Sequence, residues 1–331
     1  MQTRESRVVI ADSMVLHMME VILNGTMLAF SLAMLAVASR FAIKSVEDLI
    51  KLTHLSEASV GFAILSVMTS TPEICVAVFS VMQGSPGFSV GDILGSNVFN
   101  IGIVIGLLAT IGYLKKCSTN CLGELVDILF LSSLIPIILV MFGSASSLVG
   151  LVLIGIFVFS IYTMTKNGKQ RASLTNEETR TIQPSKKVVV LKISIGMVLV
   201  IAAAQLTIFS ASNIATALGV APILIGAKII AIGTSMPELA LDLTAARRGR
   251  IELAIGDAIG SNLTNITLVL GIVLLASPFG MVDLSIFAQI LPFVLVTTLI
   301  LWRYLTKGGV SQFGGITLIM TYVVFQAILA A

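Results

Sequence analysis

Charge is what this 331-residue chain lacks most: Asp, Glu, Lys and Arg make up 11% of it, against about 25% in an average soluble domain. So few charges cannot cover a globule of this size, which excludes a soluble enzyme. With 56% hydrophobic residues and a mean hydropathy of +1.04, a disordered or fibrous chain is excluded as well. Cysteine is scarce too. The three, Cys75, Cys117 and Cys121, are odd in number and show no framework spacing, so no disulfide scaffold is implied. Cys117 and Cys121 are expected as free thiols facing the cytoplasm, and Cys75 as a packing residue. The net charge of +3 is too small, and too confined to loops, for a nucleic-acid partner. No lipidation or retention motif is visible, and no large regulatory domain.

What the chain has in abundance is long apolar runs. A spanning helix needs about 20 mostly apolar residues. Ten such segments are expected, near 15–40, 58–82, 88–112, 123–143, 147–165, 188–211, 219–246, 252–277, 283–303 and 311–331. Residues 41–57 read as a short amphipathic connection. With the N-terminus outside, the cytoplasmic connections hold 16 of the 20 Lys and Arg residues, and the external connections hold none. That asymmetry is the positive-inside pattern. It predicts a multi-pass protein of the cell membrane with both termini outside. The one long polar stretch, 167–187, divides the chain into residues 1–166 and 188–331. Each half has five spans, so the second must enter the membrane in the opposite sense.

The halves are also repeats. At a constant offset of 165 residues, TSTPE (69–73) matches TSMPE (234–238), and GDILGSNVFNI (91–101) matches GDAIGSNLTNI (256–266). Across 69–101 and 234–266, 12 of 33 positions are identical without a gap. The identities are almost all polar, Gly or Pro, not the Leu and Val that any two membrane helices share. The expected fold is therefore all-α, with ten transmembrane helices in two inverted-topology repeats. In such architectures the site lies near the midplane where the repeats meet.

The repeated residues suit a cation. Pro72 and Pro237 each remove an N–H and free the carbonyl four residues earlier, here Met68 and Gly233, with Thr69 and Thr234 adjacent. Glu73 and Glu238 follow the prolines deep within their spans, where a carboxylate costs about 2.5–3.5 kcal/mol even on lenient scales. No Lys or Arg lies near them in sequence. Lys228 is ten positions before Glu238, about 15 Å along a straight helix, and can reach the interface instead. Two such acids most naturally meet a metal ion or protons. Asp92, Ser96 and Asn100 line one helix face, and Asp257, Ser261 and Asn265 repeat the pattern. Asn97 and Asn262 lie about 100° around the helix; with the glycines at 91, 95, 256 and 260 they read as helix packing. Carboxylate, hydroxyl, amide and carbonyl oxygens suit calcium or sodium. His17 and His54 lie away from the motifs, so zinc, copper and iron fit poorly.

TSTPE and TSMPE, each followed by GSNxxN, resemble the two alpha repeats of the sodium/calcium exchanger superfamily, in its compact prokaryotic form. The resemblance covers the ten-span plan and is sharpest over 61–106 and 226–271. It implies alternating access, with Glu73 and Glu238 as central carboxylates. It implies hydroxyl or carbonyl ligands at Thr69, Ser70, Thr234 and Ser235, and flanking polar ligands at Ser96, Asn100 and Ser261. In the family the first and sixth spans slide past the bundle; here these are 15–40 and 188–211. The sequence departs from the pattern in three places. Asn265 stands where some relatives carry an aspartate, which removes one charge from the ligand set. Gly91-Asp92 and Gly256-Asp257 stand where many have Gly-Asn. Asp242 lies one turn after Glu238, on the same face, where the first repeat has Ala77. Asp92 and Asp257 are candidate pathway or outer-shell groups. Asp242 either lines the cytoplasmic approach or is hydrated near Arg247 and Arg248.

The resulting expectation is a secondary antiporter exchanging calcium for sodium. Its partners are inorganic cations and the lipid bilayer, and the inverted repeat can work as a monomer. No cofactor is needed, because Ca2+ and Na+, or H+, bind as substrates. Two carboxylates are neutralised by one calcium, two sodium ions or two protons, which makes the ions mutually exclusive, since an uncompensated pair is expensive in low dielectric. A calcium/proton antiporter and a cation channel are the alternatives. An intramembrane enzyme fits less well: the paired acids resemble an aspartyl dyad, but they are glutamates and no substrate domain is apparent.

Overall fold

A computed structural model describes residues 2–53, 56–82, 86–115, 119–135, 147–172, 185–217, 231–276 and 284–328. Every regular element within them is helical. The first half holds α1 (Gln2–Thr53), α2 (Glu57–Thr69), α3 (Thr71–Met82), α4 (Pro86–Phe99), α5 (Gly106–Ile111), α6 (Thr119–Ser133) and α7 (Ser147–Ala172). The second holds α8 (Lys186–Ala217), α9 (Ala231–Thr234), α10 (Met236–Arg247), α11 (Ile251–Thr264), α12 (Leu270–Ala276), α13 (Leu284–Leu305) and α14 (Gln312–Ile328). A π-helical turn, Asn100–Ile105, joins α4 to α5, and its counterpart Asn265–Val269 joins α11 to α12.

The repeat seen in the sequence governs the fold residue by residue. Shifted by 165, α3 becomes α10, α4 becomes α11, and the π turns begin at Asn100 and Asn265. Four helical segments are long and apolar enough to span unbroken: Met18–Leu52, Ser89–Ile111, Ser147–Lys166 and Ile251–Ala276. Glu57–Thr69 and Thr71–Val78 make a fifth, bent by 41°. The expected spans 123–143 and 219–246 run into 136–143 and 219–230, outside the described residues, as do most of the linker, His54, Cys117 and Lys228.

The first span is longer than expected. No Gly or Pro interrupts 26–53, and the helix runs on through the supposed connection, for 52 residues in all, or about 78 Å. Its serines hide their hydroxyls within the helix: Ser39 donates to the Leu35 carbonyl and Ser45 to that of Phe41. α1 lies along α8, its partner in the other repeat, and also touches α10. At the basic end, Arg248 makes a bidentate pair with Glu47 of α1, both bonds at 2.7 Å, and Arg250 reaches Glu57 at 2.5 Å.

The interior is shared between the halves. α11 packs on α2, and α4 on α9 and α13. Close approach needs the glycines: a Cβ on Gly61 would lie 2.4 Å from the Leu253 carbonyl oxygen, and one on Gly256 2.6 Å from that of Ala58. Large apolar side chains on α1, α7, α8 and α14 face outward, as a lipid-facing rim requires. Cys75, expected as packing, is exposed on α3; a small, weakly polar thiol is tolerated there.

Candidate cation site

The centre forms where each repeat's broken span meets the other repeat's unbroken one. The chain leaves helical geometry at Ser70 (φ −74°, ψ 8°) and at Ser235 (φ −90°, ψ 7°). Both prolines come two residues later, in the first turn of α3 and α10. There the missing N–H costs nothing, so they open helices and do not kink them mid-course. Glu73 and Glu238 consequently sit in first turns, where the helix dipole favours negative charge.

All ten expected ligand residues are buried, and contacts across the repeats link seven of them: Thr69 and Ser261 beside Glu238, Ser96 with Thr234, and Ser235 with Glu73. Thr69, Ser70, Glu73, Ser96, Asn100, Ser235, Glu238, Ser261 and Asn265 are fully buried, and Thr234 is 1% exposed. Thr69 Oγ1 is 3.1 Å from Ser261 Oγ and donates to Asp257 Oδ1 at 3.3 Å. The image of this arrangement holds in the other repeat: Thr234 Oγ1 is 3.3 Å from Ser96 Oγ and donates to Asp92 Oδ1 at 3.1 Å. Each threonine hydroxyl has one hydrogen, for which the aspartate and a main-chain carbonyl one turn back compete: that of Ser66 lies 3.1 Å from Thr69 Oγ1 and that of Ala231 3.2 Å from Thr234 Oγ1. The Ala231 carbonyl, which sequence reasoning missed, is also 3.4 Å from Ser96 Oγ; nothing in an alanine announces that its carbonyl will face polar groups.

The symmetry then fails in three informative places. Ser235 Oγ donates to Glu73 Oε1 at 3.4 Å, but Ser70, its counterpart, makes no bond to Glu238. Thr69 and Ser261 lie beside Glu238, yet neither of its oxygens has a formed partner. The Met68 carbonyl, expected to be left free by Pro72, accepts from Thr71 Oγ1 at 2.7 Å. Met236 occupies the place of Thr71 in the second repeat and has no hydroxyl. Asp242 is fully buried and lies against Asp257, with the Glu238 charge nearby. It is not hydrated near Arg247 and Arg248: Arg248 is engaged with Glu47 at 2.7 Å.

Two features define what the site can hold. Five carboxyls, Glu73, Asp92, Glu238, Asp242 and Asp257, are buried, and no Lys or Arg side chain is buried among the described residues. Buried anions without partners demand positive charge from elsewhere. The oxygens of Glu238, one of Glu73, the Ser70 hydroxyl and both amide groups of Asn100 and Asn265 lack hydrogen-bond partners. Unpaired buried oxygens are rare unless something else satisfies them. Among the described residues, no three Asp, Glu, His or Cys side chains converge as a metal-holding group. The buried oxygens are of carboxyl, hydroxyl and amide type, a donor set that suits hard ions.

Comparison with known proteins identifies the fold and the family. The chain is 25% identical to the sodium/calcium exchanger MaX1 of Methanosarcina acetivorans, over 92% of this chain and 98% of that one. It is 22% identical to the Ca(2+)/H(+) antiporter ChaA of Bacillus subtilis, over 82% and 84%. A solved structure of the sodium-calcium exchanger NCX_Mj, soaked with 2.5 mM Na+ and 0.1 mM Ca2+, superposes with a TM-score of 0.78 at 26% identity, covering 92% of this chain and 98% of that one. The ten-helix, inverted-repeat plan is thus shared with a membrane cation exchanger, and the profile of the sodium/calcium exchanger protein family matches residues 24–166 and 188–331. This chain belongs to the sodium/calcium exchanger family.

Proposed function

We propose that the protein exchanges calcium for sodium across the cell membrane, at one site centred on Glu73 and Glu238. Thr69, Ser70, Thr234, Ser235, Ser96, Asn100, Ser261 and Asn265 complete the ligand set from both repeats, residues 1–166 and 188–331. The observation that carries the reading is the set of buried, unpartnered oxygens around two glutamates on broken helices. Calcium or a pair of sodium ions neutralises the two glutamates; the empty pair leaves two charges in a dry interior. An occupied site can be occluded and carried, while an empty one resists the move, and obligatory exchange follows. The basic connections orient the protein with both termini outside.

Protons are the second reading for the counter-ion. It is favoured by Asp92, Asp242 and Asp257, three buried carboxyls beyond the central pair, and by the similarity to a Ca(2+)/H(+) antiporter.

The test is calcium-45 uptake into proteoliposomes of purified protein, with an outward sodium gradient compared with an outward proton gradient at fixed membrane potential. Uptake driven by sodium supports the proposal. Uptake driven only by protons moves the coupling to the second reading, and uptake under neither removes calcium as the substrate. A fixed flux ratio between the ions separates exchange from a channel.

A further inference from the structure

Asn97 and Asn262 read in sequence as packing residues, but their bonds are reciprocal. Asn97 Nδ2 donates to the main-chain carbonyl of Asn262 at 3.1 Å, and Asn262 Nδ2 donates to that of Asn97 at 3.0 Å. The residues are 165 positions apart, which is the repeat offset, so each bond is the image of the other. The pseudo-twofold axis relating the repeats passes between them, as it must when a residue contacts its own equivalent. Both side chains are fully buried. Three residues after each, at Asn100 and Asn265, the helix widens to π pitch. The Asn262 carbonyl already accepts the N–H of Asn265 in its own helix, so the amide from the other repeat is a second donor to that carbonyl, at the entrance of the π turn.

We infer that Asn97 and Asn262 are positioning residues: a reciprocal clamp on the pseudo-twofold axis that fixes the separation and rotation of α4 and α11. These helices carry Ser96 and Ser261, and the π turns that continue them open with Asn100 and Asn265, so the inference rests on the cation site proposed above. The clamp binds side chain to main chain, and therefore resists rotation of either helix about its own axis. A rotation of about 10° would displace an oxygen roughly 6 Å off that axis by about 1 Å. Metal–oxygen distances tolerate only about 0.2 Å. The clamp keeps two halves of a ligand set at a separation that suits a cation.

The test compares Asn97→Ala, Asn262→Ala and the double variant with Trp302→Phe in calcium-45 proteoliposome assays and thermal unfolding. Trp302→Phe removes a peripheral bond, from Trp302 Nε1 to Asp127 Oδ1 at 2.7 Å between α13 and α6. The clamp predicts that each alanine variant raises the calcium KM roughly tenfold at both membrane faces. The double variant should be much milder than the product of the two, because either change alone opens the clamp. Trp302→Phe should lower the melting temperature and leave KM unmoved. Alanine variants that melt earlier but keep wild-type KM and turnover per folded molecule would reduce the pair to packing and overturn the inference. If the alanine variants do not fold, Asn97→Ser and Asn262→Ser, which keep a shorter donor, take their place with the same expectations. If wild-type vesicles carry no calcium, the proposed function fails. The clamp is then decided by amide hydrogen exchange in Asn97→Ala or its serine substitute: lost protection in α11 as well as α4 supports it, and loss confined to α4 refutes it.

Discussion

Glu73→Gln isolates the charge of the central site from its shape. Glutamine has the volume of glutamate, and its amide oxygen can still accept from Ser235 Oγ, 3.4 Å from Oε1 in the wild type. What disappears is one of two negative charges facing a divalent cation in a fully buried site. Removing one partner of a buried charge pair costs about 3–5 kcal/mol, because the other is left uncompensated. At 1.4 kcal/mol per decade, calcium affinity should fall by roughly 10²- to 4 × 10³-fold. Glu238→Gln should fall in the same range, since it removes the other charge from an equally buried position. The assay is the calcium KM of uptake into proteoliposomes, paired with calcium-dependent thermal stabilisation of the purified protein, which needs no turnover. Both variants should fold, and the ion-free protein should melt no earlier than wild type, because a buried uncompensated charge is gone. Wild-type KM and wild-type calcium stabilisation in both variants would refute the site.

Three further outcomes follow from the same geometry. Thr69→Val and Thr234→Val keep the shape but remove the donors to Asp257 and Asp92. Each should weaken calcium affinity by roughly 5- to 30-fold, about 1–2 kcal/mol, and an unchanged KM counts against the threonine hydroxyls as ligands. Gly61→Ala places a Cβ 2.4 Å from a main-chain oxygen of α11; overpacking should cost about 1–3 kcal/mol, read as a lower melting temperature with and without calcium. Asp242→Ala removes a fully buried carboxyl without a formed partner and restores the symmetry with Ala77. It should raise the melting temperature of the ion-free protein, and a lower one would show that Asp242 is satisfied by something the fold does not reveal.

The legible part of this protein was the part written twice. TSTPE and TSMPE, at one offset, located both helix breaks, both glutamates and the helix face carrying Ser96 and Ser261. Polar identities between two apolar segments have few causes other than a shared site. The features that escaped are those the repeats do not share, or that live in the main chain. Thr71 donates to the Met68 carbonyl, and Met236 has no hydroxyl with which to do the same in the second repeat; only the rotamer of a threonine decides this. Asp242 looked close enough to Arg247 and Arg248 to be wet. The turn after α10 instead pairs Arg248 with Glu47 and leaves the acid inside. The reciprocal bonds of Asn97 and Asn262 depend on the repeats meeting at that residue, a relation between helices that no single-helix periodicity encodes. α1 outran its apolar window because helix continuity follows from the absence of breakers, not from hydropathy.

Asn265 offers the sharpest way to ask how many cations the site needs. It is fully buried, neither end of its amide has a partner, and Asn100 is its symmetric equivalent. Asn265→Asp adds a sixth carboxyl to an interior that already holds five, at nearly constant volume. In the ion-free protein the new charge has no partner, so the melting temperature should fall. In sodium the same charge is a ligand, so the stabilisation per decade of sodium should steepen. Ligand stabilisation grows as RT ln(1 + [L]/Kd) for each bound ion, or about 1.4 kcal/mol per tenfold rise in concentration once the site is well occupied. One additional bound sodium ion therefore adds about that much to the slope. The measurement is the melting temperature from 1 to 300 mM sodium at constant ionic strength, with choline as the replacement ion. A steeper slope means that carboxylate count sets cation count and that the wild-type asparagine leaves one ion fewer. An unchanged slope with a uniformly lower melting temperature would mean that position 265 faces no ion, and would remove it, together with Asn100, from the ligand set.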